Sequence, residues 1–465
     1  MQQKLSNYLF IFIGGIFLFS SCSKDDDPGL TPMEFANSDY QENYEVTLGD
    51  TLVVEPEILN VSQITSFSWE LNEEQISTDQ ILNYVADESG TFSLTFKAIA
   101  DNDSVVRNYQ VTVKDPIQFA NPDYEENYEV TLGDTLVVEP EILNAPQTTS
   151  FSWQVDEEEI SNDQFLNYVP DESGTFSLQF KAKAENDSII RTYRVTVNDP
   201  YELYFRPKTE SSTEFISDIL EYKPAPGQHI NENYGSPEDA ENIIGGKSNI
   251  LSLGAWGGHV IFTFDHTIEN IAEQKDFVIY GNAMSGLSEP GIVQVSFDEN
   301  GNGIPDDTWY ELAGSAHNKE ETSLNYELTY TNPDEYANVP WLDNQENQDS
   351  VMINSYHTQN YYPQFIEEQE EVTFAGTRVY PTINTDGFVS IDALEWGYVD
   401  NFDADYNIYG GNAMEIDWAV DANLNPVELR GIDFIKVYTG AQGDAGWLGE
   451  ISTEIKGASD LSMVD

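Results

Sequence analysis

The residues in this chain best suited to chemistry are oxygen donors, and their most regular spacing lies in DENGNGIPDD, residues 298–307. Asp298, Asn300, Asn302, Ile304 and Asp306 fall at the first, third, fifth, seventh and ninth positions of a calcium loop. Gly303 takes the sharp sixth position, and Ile304 offers its main-chain carbonyl. The twelfth position holds Trp309 in place of a bidentate glutamate, which leaves Asp307 or Glu311 to complete the shell. Hard oxygen ligands at alternating positions suit Ca²⁺ in a structural role. The competing reading is an Asn/Gly-rich hairpin turn held by side-chain hydrogen bonds. A shorter echo, Asp421, Asn423 and Asn425, lacks the glycine and reads as a turn.

A second group of candidates lies in residues 332–371, a stretch with little periodicity that reads as one long loop rich in aromatic and amide side chains. Trp341, Asn344, Asn354, Tyr356, His357, Tyr361 and Tyr362 are its candidate ligand contacts. Flat rings can cover an apolar ligand face while amides satisfy a rim of carboxamides or hydroxyls. The competing reading is that the rings pack the loop onto the domain beneath. His357 reads as a hydrogen-bond donor or a packed ring, and Trp256, Trp418 and Trp447 read as core residues.

Catalytic constellations are missing from the sequence. The five histidines show no HExxH or HxH spacing, and no nucleophile elbow or phosphate loop is present. Paired carboxylates carry little weight in a chain with 83 acidic residues against 19 basic ones. The reading is a binding protein, not an enzyme. A formal charge of −64 would repel a phosphate backbone, so nucleic acid is excluded as a partner. The single cysteine, Cys22, rules out a disulfide within the chain and a thiolate metal centre.

The elements that must position these groups are strands. Aromatic residues make up 12% of the chain, β-branched residues are frequent, and turn residues recur, so the predicted fold class is all-β. FANSDYQENYEVTLGDTLVVEPEILN at 35–60 returns as FANPDYEENYEVTLGDTLVVEPEILN at 119–144, and the same offset of 84 residues relates Trp69 to Trp153 and Tyr109 to Tyr193. Residues 35–115 and 119–199 are therefore two copies of one unit, each a small antiparallel β-sandwich with its tryptophan in the core. Their Trp strand and GTF strand resemble those of PKD-like and other immunoglobulin-like modules, although SWELNEE and SWQVDEE lack the usual Asp-Gly turn after the tryptophan. As near-identical neighbours they read as spacers.

From 204 to 465 the repeat stops and a larger domain begins, with a possible short helix at 212–220 and a Pro/Gly-rich loop at 221–231. Val260, Phe262 and Phe264, then Val293, Val295 and Phe297, alternate with their neighbours as half-buried strands do. Further strands are predicted at 276–283, 309–312, 325–331, 377–380, 388–399 and 432–439. The order is similar to jelly-roll-like sandwiches of discoidin or galactose-binding type, whose end loops carry the ligand.

At the amino terminus, Lys4 precedes an apolar run from Tyr8 to Phe19, and then come Ser20, Ser21 and Cys22. This resembles a bacterial lipoprotein signal, residues 1–21, with cleavage before Cys22 and acylation of that residue. The acidic tether at 22–34, which includes SKDDD, resembles the export signal of Bacteroidetes surface lipoproteins. That resemblance implies a lipid anchor in the outer membrane, facing outward.

The segments EYKPAPGQHIN (221–231), LSLGAWGGHVIFTFDH (251–266), FVIYGNAM (277–284), DENGNGIPDDTWYELAGS (298–315), NSYHTQNYYP (354–363) and IDFIKVYTGAQGDAGWLGEISTEIKGASDL (432–461) resemble the C-terminal domain of Bacteroidetes lipoproteins associated with vitamin B12 uptake. The resemblance implies a non-catalytic surface protein that captures cobalamin or another corrinoid for a TonB-dependent transporter. The alternatives are a carbohydrate-binding lipoprotein, with a glycan as ligand, and an adhesive surface protein.

Overall fold

The computed structural model describes residues 31–464 other than 64, 101, 102, 186 and 385–388. The signal segment, Cys22 and most of the acidic tether lie outside the described residues. Among the described residues no helix is long and apolar enough to cross a membrane. The protein is all-β and forms two compact units. One contains the first repeat together with 137–167 and 176–194, and the other contains 128–136, 168–175 and 195–465.

In the first repeat, a five-stranded sheet runs in the order Asn43–Thr47, Asp103–Lys114, Gly90–Ala100, Ser66–Leu71 and Glu74–Ser77. Thr51–Val54 pairs with Leu82–Val85 in a smaller sheet. Alternation along the strands aims Leu94, Phe96, Val111 and Val113 inward, where they pack on the fully buried Trp69. The Trp69 indole N–H donates to the Asp79 carbonyl (3.0 Å), so its one polar atom is satisfied. Arg107 covers the rings of Phe35 and Tyr40 at 3.7 and 4.0 Å, and Arg191 covers Phe119 and Tyr124 at 3.8 Å in each case. The second repeat has the same strand order in its five-stranded sheet.

The missing Asp-Gly turn has a physical substitute. Asn72 and Glu73 take φ of 47° and 71°, and Asp156 and Glu157 take 46° and 76°. Two successive residues with positive φ form the tight turn that matches strand twist. Asn and Asp tolerate that region, whereas glutamate is strained there.

Three larger sheets carry the C-terminal region, beside two two-stranded ones. A six-stranded antiparallel sheet runs Asp218–Lys223, His259–Glu269, Gly431–Thr439, Gly291–Ser296, Tyr310–Leu312 and Ala419–Val420. A three-stranded sheet runs Asn412–Met414, Phe277–Tyr280 and Gly457–Asp460. Val260, Phe262, Val293, Val295, Ile435 and Val437 of the larger sheet share one core with Phe277, Ile279, Met414 and Ala458 of the smaller. A four-stranded sheet, Gln348–Val351, Val339–Asp343, Ser323–Thr331 and Glu371–Arg378, has its own core around Trp256, Tyr326, Tyr330 and Phe374. Trp256 reaches it because Gly257, at φ 89°, lets the chain turn where a Cβ would lie 2.4 Å from the Phe374 side chain.

Five sequence expectations are corrected. The helix expected at 212–220 is absent: Asp218–Lys223 is instead an edge strand paired with 259–263, because Ile219 and Tyr222 gain more by packing on the sandwich core than a short isolated helix could supply. Residues 332–371 are not one long loop, since 339–343 and 348–351 form a hairpin on the four-stranded sheet. Asp343 organises its turn by accepting the main-chain N–H groups of Gln345 (3.0 Å) and Asn347 (2.7 Å). The expected strand at 377–380 lies earlier, at Glu371–Arg378, and that expected at 388–399 is reduced to Ser390–Ile391. His259–Glu269 also departs from simple alternation, for both faces are buried through Phe264. Ile261 and Thr263 are covered on the second face, where Arg206 donates to Thr263 Oγ1, to the Phe264 carbonyl and to Asp433.

Candidate functional site

The loop 225–231 and the segment 354–362 are laced together and leave an open cavity of about 360 Å³ lined by Gln228, Asn354, Tyr356, His357 and Leu448. Asn231, at φ 67°, directs its side-chain amide to the carbonyls of Asn360 (2.8 Å) and Tyr362 (2.7 Å). Gln228 is the hub: its main-chain N–H donates to Glu450 Oε1 (2.7 Å) and its amide to the Leu448 carbonyl (2.6 Å), while its Oε1 accepts from Asn354 Nδ2 (2.8 Å). The Asn354 Oδ1 accepts the N–H groups of Tyr356 and His357 at 2.9 and 3.1 Å. This local turn holds the Tyr356 ring outward, 82% exposed.

Two buried polar atoms flank Gln228 without partners among the described residues, Glu450 Oε2 and Gln359 Oε1. Burial pushes the Glu450 carboxyl up to about 8. The His229 and His357 rings meet edge to face, 4.9 Å between centres. Burial, followed by its neighbour His357, lowers the His229 pKa.

Of the residues predicted to contact ligand, Asn354, Tyr356 and His357 line the cavity. Trp341, Asn344, Tyr361 and Tyr362 lie outside its lining. Tyr361 and Tyr362 are 1% and 2% exposed and belong to the core around Trp256, since the segment must bury apolar surface to stay folded on the sheet. Trp341 packs partly buried against that same core. Asn344 sits at the hairpin turn, with its amide donating to the Asn325 carbonyl (2.8 Å). Gln228, His229, Leu448 and Glu450 went unassigned in the sequence, although the GQH of EYKPAPGQHIN and the WLGE of the last motif contain them.

In the 298–307 loop the carboxylates and amides are hydrogen-bonded to one another. Asp298 is 6% exposed, and its carboxylate accepts the N–H groups of Asn302 (3.1 Å) and Gly303 (2.9 Å), with Gly303 at φ 71°. The Asn300 amide donates to Asp306 and Asp307 (3.2 and 3.1 Å), and the Asn302 amide donates to both Asp306 oxygens. These amide groups stand between carboxylates that would otherwise repel. Asp307 Oδ2 is buried with no hydrogen-bond partner among the described residues. Burial, then the charges of Asp298, Glu299 and Asp306, push the Asp307 carboxyl up to about 6. The donor set and the orphaned oxygen fit a divalent cation. At the weaker echo, Asp421 accepts from Asn423 and from Asn425, which is a turn.

A third acidic group was not legible in the sequence. Glu289, Asp400 and Glu454 each bring a carboxylate oxygen within 4.8 Å of the others. Asp400 accepts the N–H groups of Asn282 (2.9 Å) and Glu454 (3.0 Å), which explains the GNAM corner. Burial, then the charge of Glu454, raises Glu289 and Asp400 well above the usual carboxylate range, and burial raises Glu454 to about 7.

Residues 38–100 and 117–184 match the PKD-like domain family. No curated protein matches the chain. Among solved structures, the chain is similar to the I-band fragment I67–I69 of titin, at 13% identity and a TM-score of 0.30, over 55% of this chain and 86% of that one. It is also similar to extracellular domains 3–5 of Drosophila OTK, at 12% identity and a TM-score of 0.29, over 36% of this chain and 63% of that one.

Proposed function

We propose that the chain is a non-catalytic surface lipoprotein, anchored in the outer membrane through Cys22, that captures a corrinoid and passes it to a TonB-dependent transporter, with Ca²⁺ bracing the 298–307 loop. The observation that carries this reading is the cavity beside Gln228, where an outward tyrosine stands among amide groups and an imidazole. A corrin ring is flat and apolar on its faces and fringed with carboxamides, so an aromatic ring ringed by amides complements it. The non-catalytic part rests on the histidines. His259, His266 and His317 are buried, and among the described residues their ring nitrogens meet carboxylates, a main-chain carbonyl and, for His317, a phenol and a main-chain N–H, with no serine, threonine or cysteine bonded to them. His317 meets the phenol of Tyr398 and the Gly314 N–H besides its carboxylate.

An exposed tyrosine beside amides also suits the face of a sugar ring, so a glycan is the second reading. Calorimetric titration of the full chain with cobalamin separates the two. Saturable heat at micromolar cobalamin that Tyr356→Ala weakens about tenfold or more, a change of roughly 1.4 kcal/mol, supports the corrinoid. No heat with cobalamin, together with retention on immobilised polysaccharide, sinks it in favour of the glycan.

A further inference from the structure

Five histidines occur in the chain, and the structure divides them into two kinds. His259, His266 and His317 each have ring nitrogens engaged with carbonyls, carboxylates or a phenol. His229 and His357 differ: among the described residues neither ring nitrogen of either side chain has a hydrogen-bond or ion-pair partner, and the only polar link of His357 is its main-chain N–H to Asn354. The two rings face one another at 4.9 Å and 78°, beside the Gln228 cavity, with the Tyr234 ring edge-on to His229 at 5.9 Å.

We propose that His229 and His357 form a two-nitrogen site for a free divalent transition-metal ion such as Zn²⁺, Ni²⁺ or Cu²⁺. The geometry supports this. An imidazole nitrogen sits about 2.0–2.1 Å from such an ion, which puts the ring centre about 3.2 Å away. Two rings on one ion then lie about 4.5 Å apart at a right angle and about 5.2 Å apart at the tetrahedral angle. The observed 4.9 Å falls between these limits. Borderline nitrogen donors select late first-row ions over Ca²⁺ and Mg²⁺, which prefer oxygen. Water from the open cavity completes the coordination shell.

The site is independent of the corrinoid reading. Two imidazoles whose centres lie 4.9 Å apart can reach one ion only at neighbouring coordination positions, whereas the metal of a flat macrocycle offers only the two opposite faces. The pair therefore takes an ion on its own, next to whatever the cavity holds.

The test is calorimetric titration of the tag-free full chain with ZnCl₂ and NiCl₂ in millimolar Ca²⁺, which keeps oxygen-only sites filled. One ion per chain is expected, with Cu²⁺ tighter than Ni²⁺ or Zn²⁺. His229→Ala and His357→Ala should each weaken binding by at least the ~10–100-fold that loss of an outer-shell partner costs a metal site. Nitrogen-15 spectra of the histidine rings provide the second readout and do not depend on a variant folding. Shifts on Zn²⁺ addition confined to two of the five rings support the site. Absence of binding, undiminished binding in both variants, or shifts spread over the three paired histidines would overturn it.

Discussion

Replacing Asp307 by asparagine should move the stability of the C-terminal region in opposite directions with and without calcium. Without the ion, the Asp307 carboxylate has an orphaned buried oxygen and is repelled by Asp298, Glu299 and Asp306, which with burial lifts its pKa to about 6. Taken at face value that shift is close to 3 kcal/mol at neutral pH, but the side chain is partly exposed, and solvent screening reduces it to about 1 kcal/mol. Asp307→Asn removes this cost, so the calcium-free variant should melt about 2–4 °C higher than the parent. Calcium reverses the order. At 1 mM Ca²⁺ and a dissociation constant near 10 µM, inside the range of oxygen-ligand loops, the parent gains about 2.7 kcal/mol. That corresponds to a rise of about 5–11 °C for a domain of this size. Losing one charged partner from such a site costs about 2–5 kcal/mol, so the variant should gain only about 0–4 °C from the same calcium. Scanning calorimetry of parent and variant in Ca²⁺ and in EGTA reads all four values. If the parent melts at one temperature in both buffers, the loop is only a hydrogen-bonded hairpin. An unchanged calcium shift in the variant would refute the assignment of Asp307.

Two further outcomes follow from strain and from buried acids. The glutamates at φ 71° and 76° in the repeat turns cost about 1–2 kcal/mol each as L-residues, of which glycine's larger unfolded-state entropy returns roughly half. Glu73→Gly with Glu157→Gly should therefore raise the urea midpoint of the repeats, and a lowered midpoint would count against the turn assignment. Glu454 and Glu450 have folded pKa values raised to about 7 and about 8, so the folded state holds protons that the unfolded state releases near 4.5. Their stabilisation is full below the unfolded value and is lost as pH rises through the folded values, by an amount on the order of several kcal/mol. Melting temperature in EGTA should fall from about pH 4.5 to about pH 8, with Glu450→Gln flattening the upper part of the fall. A profile flat across that interval would show that the two carboxyls are not held protonated.

Local pattern carried much of this protein. The 84-residue duplication, the tryptophan at the centre of each repeat and the strands around Val260, Val293 and Ile435 were legible because a repeat and a short β-branched and aromatic run bounded by turn residues are local features of the chain. The 298–307 loop was legible for the same reason, since all its donors lie within ten residues and its geometry is set by neighbouring turns. The cavity was legible only in part. Asn354, Tyr356 and His357 share a local turn, whereas Gln228 and Leu448 arrive from more than a hundred and about ninety residues away through hydrogen bonds that no spacing encodes. The burial of Tyr361 and Tyr362 was decided by the Trp256 core, which exists only once the four-stranded sheet has formed. The acidic trio of Glu289, Asp400 and Glu454, and the facing of His229 and His357, likewise depend on strands and loops meeting across long stretches of chain. Sequence alone determined what repeats, what alternates and what turns. Tertiary structure decided which side chains meet, because proximity between distant residues is set by how sheets pack and not by any period along the chain.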